Sequence, residues 1–175
     1  DPDPTFAHVM EGAEVLRATG CTAIVAVGGG SSMDAAKIIA CTRTSDESPD
    51  KWVGLNKVPD DVLPIYAIPT TSGTGSEATM GAVIKDPEEK LKHIIVGEDL
   101  LPQAVALDPD LLLGLPAPVT AATGIDALTH GLDAYICIWD RGTRKENGPL
   151  AIQGVFRWLE RPVQHPLGVD ARQGL

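Results

Sequence analysis

The sequence predicts an α/β fold with a parallel sheet, followed by the beginning of an all-α region. Three observations predict it. Short apolar runs rich in β-branched residues ("CTAIVAVGGG", "LPIYAIP", "AVALDP") alternate with helical patterns in the first part of the chain. The first two of these runs lead directly into turns rich in glycine, serine and threonine. From Pro118 onward only helical periodicity remains, and "GLPAP" at 114–118 breaks the pattern. These features divide the chain into an α/β domain over 1–115 and the start of a helical domain over 116–175.

Each element has its own signal. "PTFAHVMEGAEVLRATG" carries Phe6, Val9, Met10, Ala13 and Leu16 at helical spacing, and Gly20 ends it. "CTAIVAVGGG" reads as a strand buried on both faces. "SSMDAAKIIACT" reads as a helix capped by Ser31 or Ser32, with Asp34 in its first turn near the positive end of the dipole. Residues 43–61, with Pro49, Gly54 and Pro59, read as a loop. "LPIYAIP" is a second buried strand, and "TMGAVIK" and "KHIIVGE" are two strands joined by the turn "DPEEK". "AVALDP" is one more short strand and "DPDLLLGLP" a short helix. "PVTAATGIDALTHGLDAYICIW" is a long helix, with Ile125, Leu128, Leu132 and Tyr135 directed to a core. A polar loop at 140–148 leads to the amphipathic helix "PLAIQGVFRWLERPV".

Bulk properties narrow the function. With 175 residues, 43% of them hydrophobic and only 4% aromatic, the core must be built from aliphatic side chains and alanine. A net charge of −10 repels phosphate backbones and anionic lipid, which argues against nucleic-acid or membrane partners. Cys21, Cys41 and Cys137 are odd in number and include no CxxC, as expected of free thiols in a reducing, cytoplasmic setting. The chain opens "DPDPTFAHV" without methionine, and we expect it to be an internal segment of something longer.

Three segments can carry chemistry. In "AVGGGSSMDAAK" a strand, a glycine turn and a helix start form an arrangement that can present backbone N–H groups to a phosphate. It matches neither GxGxxG nor GxxxxGK[ST], and a turn that merely needs glycine explains it equally well. "IPTTSGTGSEAT" (68–79) gathers hydroxyl donors at the end of a strand, where ligands sit in open α/β sheets; an ordinary polar loop has the same composition. Asp126 and His130 lie four apart, so both project from one helix face and can converge on a metal ion. A local Asp–His hydrogen bond is the alternative, and two ligands alone do not complete a site.

Taken together and in order, "GGGSSMDAAK", "PTTSGTGSEAT" and "LDPDLLLGLPAPVTAATGIDALTHGLDAY" closely resemble the iron-containing (group III) alcohol dehydrogenase family. The resemblance implies a dehydroquinate synthase-like architecture: a partial dinucleotide-binding domain followed by the beginning of an all-α domain, with the active site between them. By that resemblance Gly28, Gly29, Gly30 and Ser31 lie against the pyrophosphate of NAD or NADP. Thr70, Thr71, Thr74, Thr79 and Lys92 match further cofactor contacts, and Asp126 and His130 match the first two of four ligands to Fe2+, or alternatively Zn2+. The implied reaction is metal-assisted hydride transfer between a small alcohol and its aldehyde or ketone, by an enzyme that commonly forms homo-oligomers.

The match is incomplete. The two remaining ligand histidines of the family lie further along its helical domain. "QHPLG" with His165 imitates that motif, but it follows "AIQGVFRWLERPV" and has Arg161 four residues earlier, so we do not assign His165 to the metal. His8 and His93 fall in segments matching non-ligand regions. The isolated chain is therefore expected to be inactive. Two other readings stand beside the dehydrogenase: a catalytically incompetent fragment that at most binds nucleotide or a subunit, and a related dehydroquinate synthase-like metal and NAD enzyme. Metal-free maleylacetate reductase relatives are disfavoured by the Asp126/His130 pair.

Overall fold

The computed structural model describes residues 3–138 and 142–174. The chain forms two compact units, one of Asp1–Pro69 with Ser76–Leu107, the other of Thr70–Gly75 with Asp108–Leu175. The loop after the second apolar strand thus belongs with the helices, and the main division falls at Leu107/Asp108.

The first unit opens with α1 (Phe6–Thr19). Thr5 Oγ1 accepts from the His8 amide and His8 Nδ1 accepts from the Thr5 amide, both at 3.3 Å, a reciprocal cap that satisfies two orphan donors. Gly20, at φ 63°, closes the helix in the left-handed conformation that its missing Cβ permits. β1 (Ile24–Gly28), β3 (Ile65–Pro69) and β6 (Ala104–Val105) form a parallel sheet in the order β1-β3-β6. β2 (Gly54–Leu55), β4 (Gly81–Asp86) and β5 (Leu91–Val96) form a second sheet, ordered β2-β5-β4, in which β4 and β5 pair as an antiparallel hairpin. The central helix is α2 (Gly30–Cys41). Its Ile38 and Cys41 join Val9, Trp52, Ile84, Ile95 and Leu100 in one core cluster, and its Met33 and Ala36 pack with Ala26 and Ala67 in another.

Several expectations need correction. β1 is not buried on both faces: Ala26 points inward, but Val25 and Val27 are 59% and 57% exposed. α2 covers one face of the β1–β3 pair, and a continuous apolar run does not reveal whether the other face is covered. Neither Ser31 nor Ser32 caps α2. The N-cap is Gly29, whose carbonyl accepts from Ser32 and Met33, so the serines already lie in the first turn and Asp34 beyond it. The presumed loop at 43–61 contains a 3-10 turn (Pro49–Trp52) and β2, because Trp52, 1% exposed, fastens the segment into the core. "DPDLLLGLP" forms a 3-10 turn at Pro109–Leu112, capped by Asp108.

The helical unit contains α3 (Ala117–Ile136), α4 (Thr143–Trp158), α5 (Glu160–Gln164) and α6 (Val169–Gln173). α4 starts inside the presumed loop at 140–148, of which residues 140 and 141 lie outside the described residues. The buried face of α3 is only partly the expected one. Thr120, Gly124 and Gly131 are buried and Leu128 between them is half-buried, while Ile125, Leu132 and Tyr135 are 53%, 45% and 51% exposed. The reason is close helix approach: a Cβ on Gly131 would crowd the Gly148 carbonyl oxygen, and one on Gly148 the Gly131 oxygen and Tyr135 amide. Arg172, 3% exposed, fixes α6 to the start of α3 by donating to Thr120 Oγ1 (2.8 Å) and the Leu115 and Pro166 carbonyls (3.3 Å each). Burial holds this guanidinium below its usual pKa. Among the described residues, no helix is long and apolar enough to cross a membrane.

Candidate nucleotide and metal sites

The glycine turn stands at the end of β1. Gly28 has φ 151°, a conformation closed to side-chain-bearing residues, and α2 begins two residues later with its first-turn amides directed out along the helix axis. Ser31 Oγ accepts from the Asp3 amide at 3.3 Å. The Asp3 carboxylate in turn meets Lys92 Nζ at 2.8 Å and Lys85 Nζ at 3.7 Å, and the Lys92 hydrogen bond, above all, holds its pKa below the usual carboxylate range. Asp3 therefore draws Ser31 and Lys92 to one place on the first unit. Sequence reasoning missed it, and nothing in "DPDP" announced it.

Thr79 belongs to the same unit and is exposed, with Oγ1 3.2 Å from Lys37 Nζ on α2. Sequence reasoning overlooked Lys37, although a signal existed: it lies four residues from Met33 and from Cys41, on the buried face of α2. Burial pushes its ammonium down to about 8, against the opposing pull of Asp34 and Glu77.

Thr70, Thr71 and Thr74 fall in the other unit, together with Asp126 and His130 on α3. Gly73, at φ 148°, is seated on the main chain of Thr123, where any Cβ would overlap the Thr123 carbonyl. That carbonyl is three residues before Asp126 on α3. Thr71 Oγ1 is shielded from solvent and has no hydrogen-bond partner among the described residues, an orphan of the kind a ligand group can satisfy.

Asp126 Oδ1 and His130 Nε2 are 3.8 Å apart on side chains 46% and 62% exposed. One carboxylate oxygen and one imidazole nitrogen on one helix face suit Fe2+ or Zn2+. The pair fits as two ligands of a divalent site. Among the described residues no third His, Cys, Asp or Glu joins it.

A three-donor cluster does occur elsewhere, in the first unit. His93 Nε2 stands 3.5 Å from Glu89 Oε2 and 3.9 Å from Asp86 Oδ2 around the β4–β5 turn. Its imidazole stacks at a tilt on Phe6, and the two carboxylates belong to the end of β4 and the turn between the paired strands. His165, at the end of α5, borders a cavity of about 650 Å³ with Arg161, Gln164 and Asp170, remote in sequence from Asp126 and His130.

These motifs and this fold define a family of metal-dependent, nucleotide-dependent dehydrogenases. The chain belongs to the iron-containing alcohol dehydrogenases, whose family pattern matches residues 1–109. It is 43% identical over 175 residues to the 1,3-propanediol dehydrogenase of Citrobacter freundii, covering all of this chain and 45% of that protein. It is 37% identical over 177 residues to the NAD-dependent methanol dehydrogenase of Bacillus methanolicus, covering 99% of this chain and 46% of that one. Among solved structures, the sulfoacetaldehyde reductase of Bifidobacterium kashiwanohense in complex with NAD+ superposes with a TM-score of 0.94 at 33% identity, over 99% of this chain and 46% of that chain. The chain thus spans about half the length of the relatives it matches.

Proposed function

We propose that this chain is part of a dehydrogenase that transfers hydride between a small alcohol and its aldehyde or ketone. The relatives named for NAD, methanol and propanediol support this reading. The observation that carries it is the packing of the Thr70–Gly75 loop, through Gly73, onto α3 immediately before Asp126. One rigid contact thereby couples the hydroxyls proposed to meet the cofactor to the helix proposed to hold the metal.

Gly28, Gly29, Gly30 and Ser31 bind the pyrophosphate through backbone amides, since no side chain stands in the way at the glycines. Thr70, Thr71, Thr74 and Thr79 orient the nucleotide by hydroxyl contacts, and Lys92 adds positive charge once it exchanges part of its Asp3 pairing for phosphate. Asp126 and His130 hold the cation. When bound, Fe2+ or Zn2+ supplies Lewis acidity toward the substrate oxygen, and NAD or NADP accepts or returns the hydride.

A second reading concerns the isolated chain. With two metal donors and no third among the described residues, we propose that it binds nucleotide but turns over little or no alcohol. Three free cysteines support a reducing, cytoplasmic setting, and the exposed Ile125, Leu132 and Ile136 on α3 support association into a homo-oligomer or with further chain.

The test is anaerobic measurement of metal content and NAD(P)H binding beside an Asp126→Ala/His130→Ala variant. Nucleotide binding in both, with cation uptake only in the parent, is the expected result. A parent chain that binds neither NADH nor NADPH would overturn the dehydrogenase reading.

A further inference from the structure

Asp34 and Lys37 lie three residues apart on α2, one turn along the same face, and both reach across to a single segment. Lys37 is fully buried. Its Nζ donates to the carbonyls of Ser76 (2.7 Å), Gly81 (2.8 Å) and Thr79 (2.9 Å), and lies 3.2 Å from Thr79 Oγ1. The three protons of the ammonium thus match three main-chain acceptors. Asp34 serves donors in the same stretch: Oδ1 accepts from Ser76 Oγ at 2.6 Å and Oδ2 from the Val83 amide at 3.0 Å.

Residues 76–83 include a 3-10 turn (Ser76–Ala78) and the start of β4. Two side chains of one helix take up much of the main-chain polarity that such a segment ordinarily turns to water. That helix is also the one that starts at the glycine turn.

We infer that Lys37 and Asp34 are positioning residues for nicotinamide-nucleotide binding, holding Ser76–Val83, and Thr79 with it, in the conformation the nucleotide meets. The inference rests on the dehydrogenase reading above. It also constrains the chemistry at Thr79. Thr79 Oγ1 donates to the Ser76 carbonyl at 3.3 Å while lying within donor reach of Lys37, so its hydroxyl proton is committed and its remaining lone pair is what it offers. Thr79 is thereby suited to accept from a ribose hydroxyl or carboxamide N–H rather than to donate to a phosphate oxygen.

A buried lysine that served stability alone would not govern affinity. Protonation separates the two roles, because burial pushes the ammonium down to about 8, against the opposing pull of Asp34 on α2 and Glu77 on the facing 3-10 turn. NADH and NADPH are titrated by fluorescence into the full chain and into Lys37→Met and Asp34→Asn, from pH 7 to 9, with melting and amide exchange recorded in parallel. Asp34→Asn keeps an acceptor oxygen and leaves the Lys37 side chain in place, so it remains informative if Lys37→Met does not fold. The expected result is affinity at least about tenfold weaker in both variants, with faster exchange confined to 76–83. The parent also loses affinity above pH 8, and Lys37→Met shows a flat profile. Variants that fold and bind like the parent would overturn the inference and leave the dehydrogenase reading intact. A parent that binds neither nucleotide removes that reading, and the inference with it. Affinity lost in Asp34→Asn only in proportion to a general fall in melting temperature also overturns it.

Discussion

Gly73 rests on the backbone of Thr123, with no room between them for a methyl group. This contact sets the seat of a hydroxyl-rich loop on the helix that carries Asp126 and His130. Gly73→Ala should therefore be costly twice over, through its φ of 148° and through overlap with a main-chain oxygen that cannot move aside. We expect a loss of about 2 to 4 kcal/mol in denaturant unfolding. Gly75→Ala is the control: Gly75 has φ 63° but open space around it, so only about 1 kcal/mol is expected. Equal costs for the two would show that the contact with Thr123 is unimportant.

Replacing both Asp126 and His130 should weaken Co2+ or Fe2+ binding by about 100-fold or more, because the two side chains are the donors that α3 provides. Cobalt absorption spectra read this directly. Signal that survives in the double variant and vanishes on adding Asp86→Asn would locate the ion at the Asp86/Glu89/His93 cluster instead.

Gly148→Ala sets helix propensity against packing. Alanine favours a helix interior by about 1 kcal/mol over glycine, but at this position its Cβ would meet the Gly131 carbonyl and the Tyr135 amide. Packing should win, with net destabilisation of about 1 to 3 kcal/mol. A rise in melting temperature would mean that α3 and α4 approach less closely than the structure has them.

The pH dependence of stability carries the signature of Lys37. Its folded pKa of about 8 lies below the ordinary 10.5, so between these values the unfolded chain holds a proton that the folded chain has released. Stability from this group is therefore gained as pH rises through 8, is complete above 10.5, and is lost again as pH falls. Relative to Lys37→Met, the parent should gain about 1 kcal/mol between pH 7.5 and 9. Nucleotide affinity is expected to move the opposite way over the same range, so the two measurements together test the assignment. A parent-to-variant difference that does not change with pH would contradict the assigned shift.

Thiol reactivity should divide the cysteines. Burial pushes the Cys41 thiol up to about 12, and its side chain is fully enclosed, whereas Cys21 is exposed. Iodoacetamide at pH 8 should modify Cys21 within minutes and leave Cys41 untouched until the chain unfolds. Labelling of Cys41 in the native protein would show that the α2 core opens.

Much of this protein was legible in the amino-acid order. The helical spacing from Phe6 to Leu16, the glycine stop at Gly20, the three glycines after an apolar run and the hairpin about "DPEEK" are local signals. Each depends on conformational preferences within a few residues. The same holds for Asp126 and His130, since helical pitch alone puts them on one face.

What sequence could not supply is the choice among faces and partners. An apolar run does not say that Val25 and Val27 stay exposed while Ala26 is buried, because that depends on which helix lies over the sheet. Nor does helical spacing reveal that α3 packs through Gly124 and Gly131 rather than through Ile125 and Leu132; close approach of two backbones decided it. Lys37 and Asp3 gained their roles from contacts spanning 39 to 44 and 28 to 89 residues, respectively. The sequence by itself determined the elements, the family motifs and the kinds of donor available, since those are short-range properties. The tertiary structure alone decided which of those groups meet, because distance in the fold, not distance along the chain, sets the strength of every hydrogen bond, ion pair and contact.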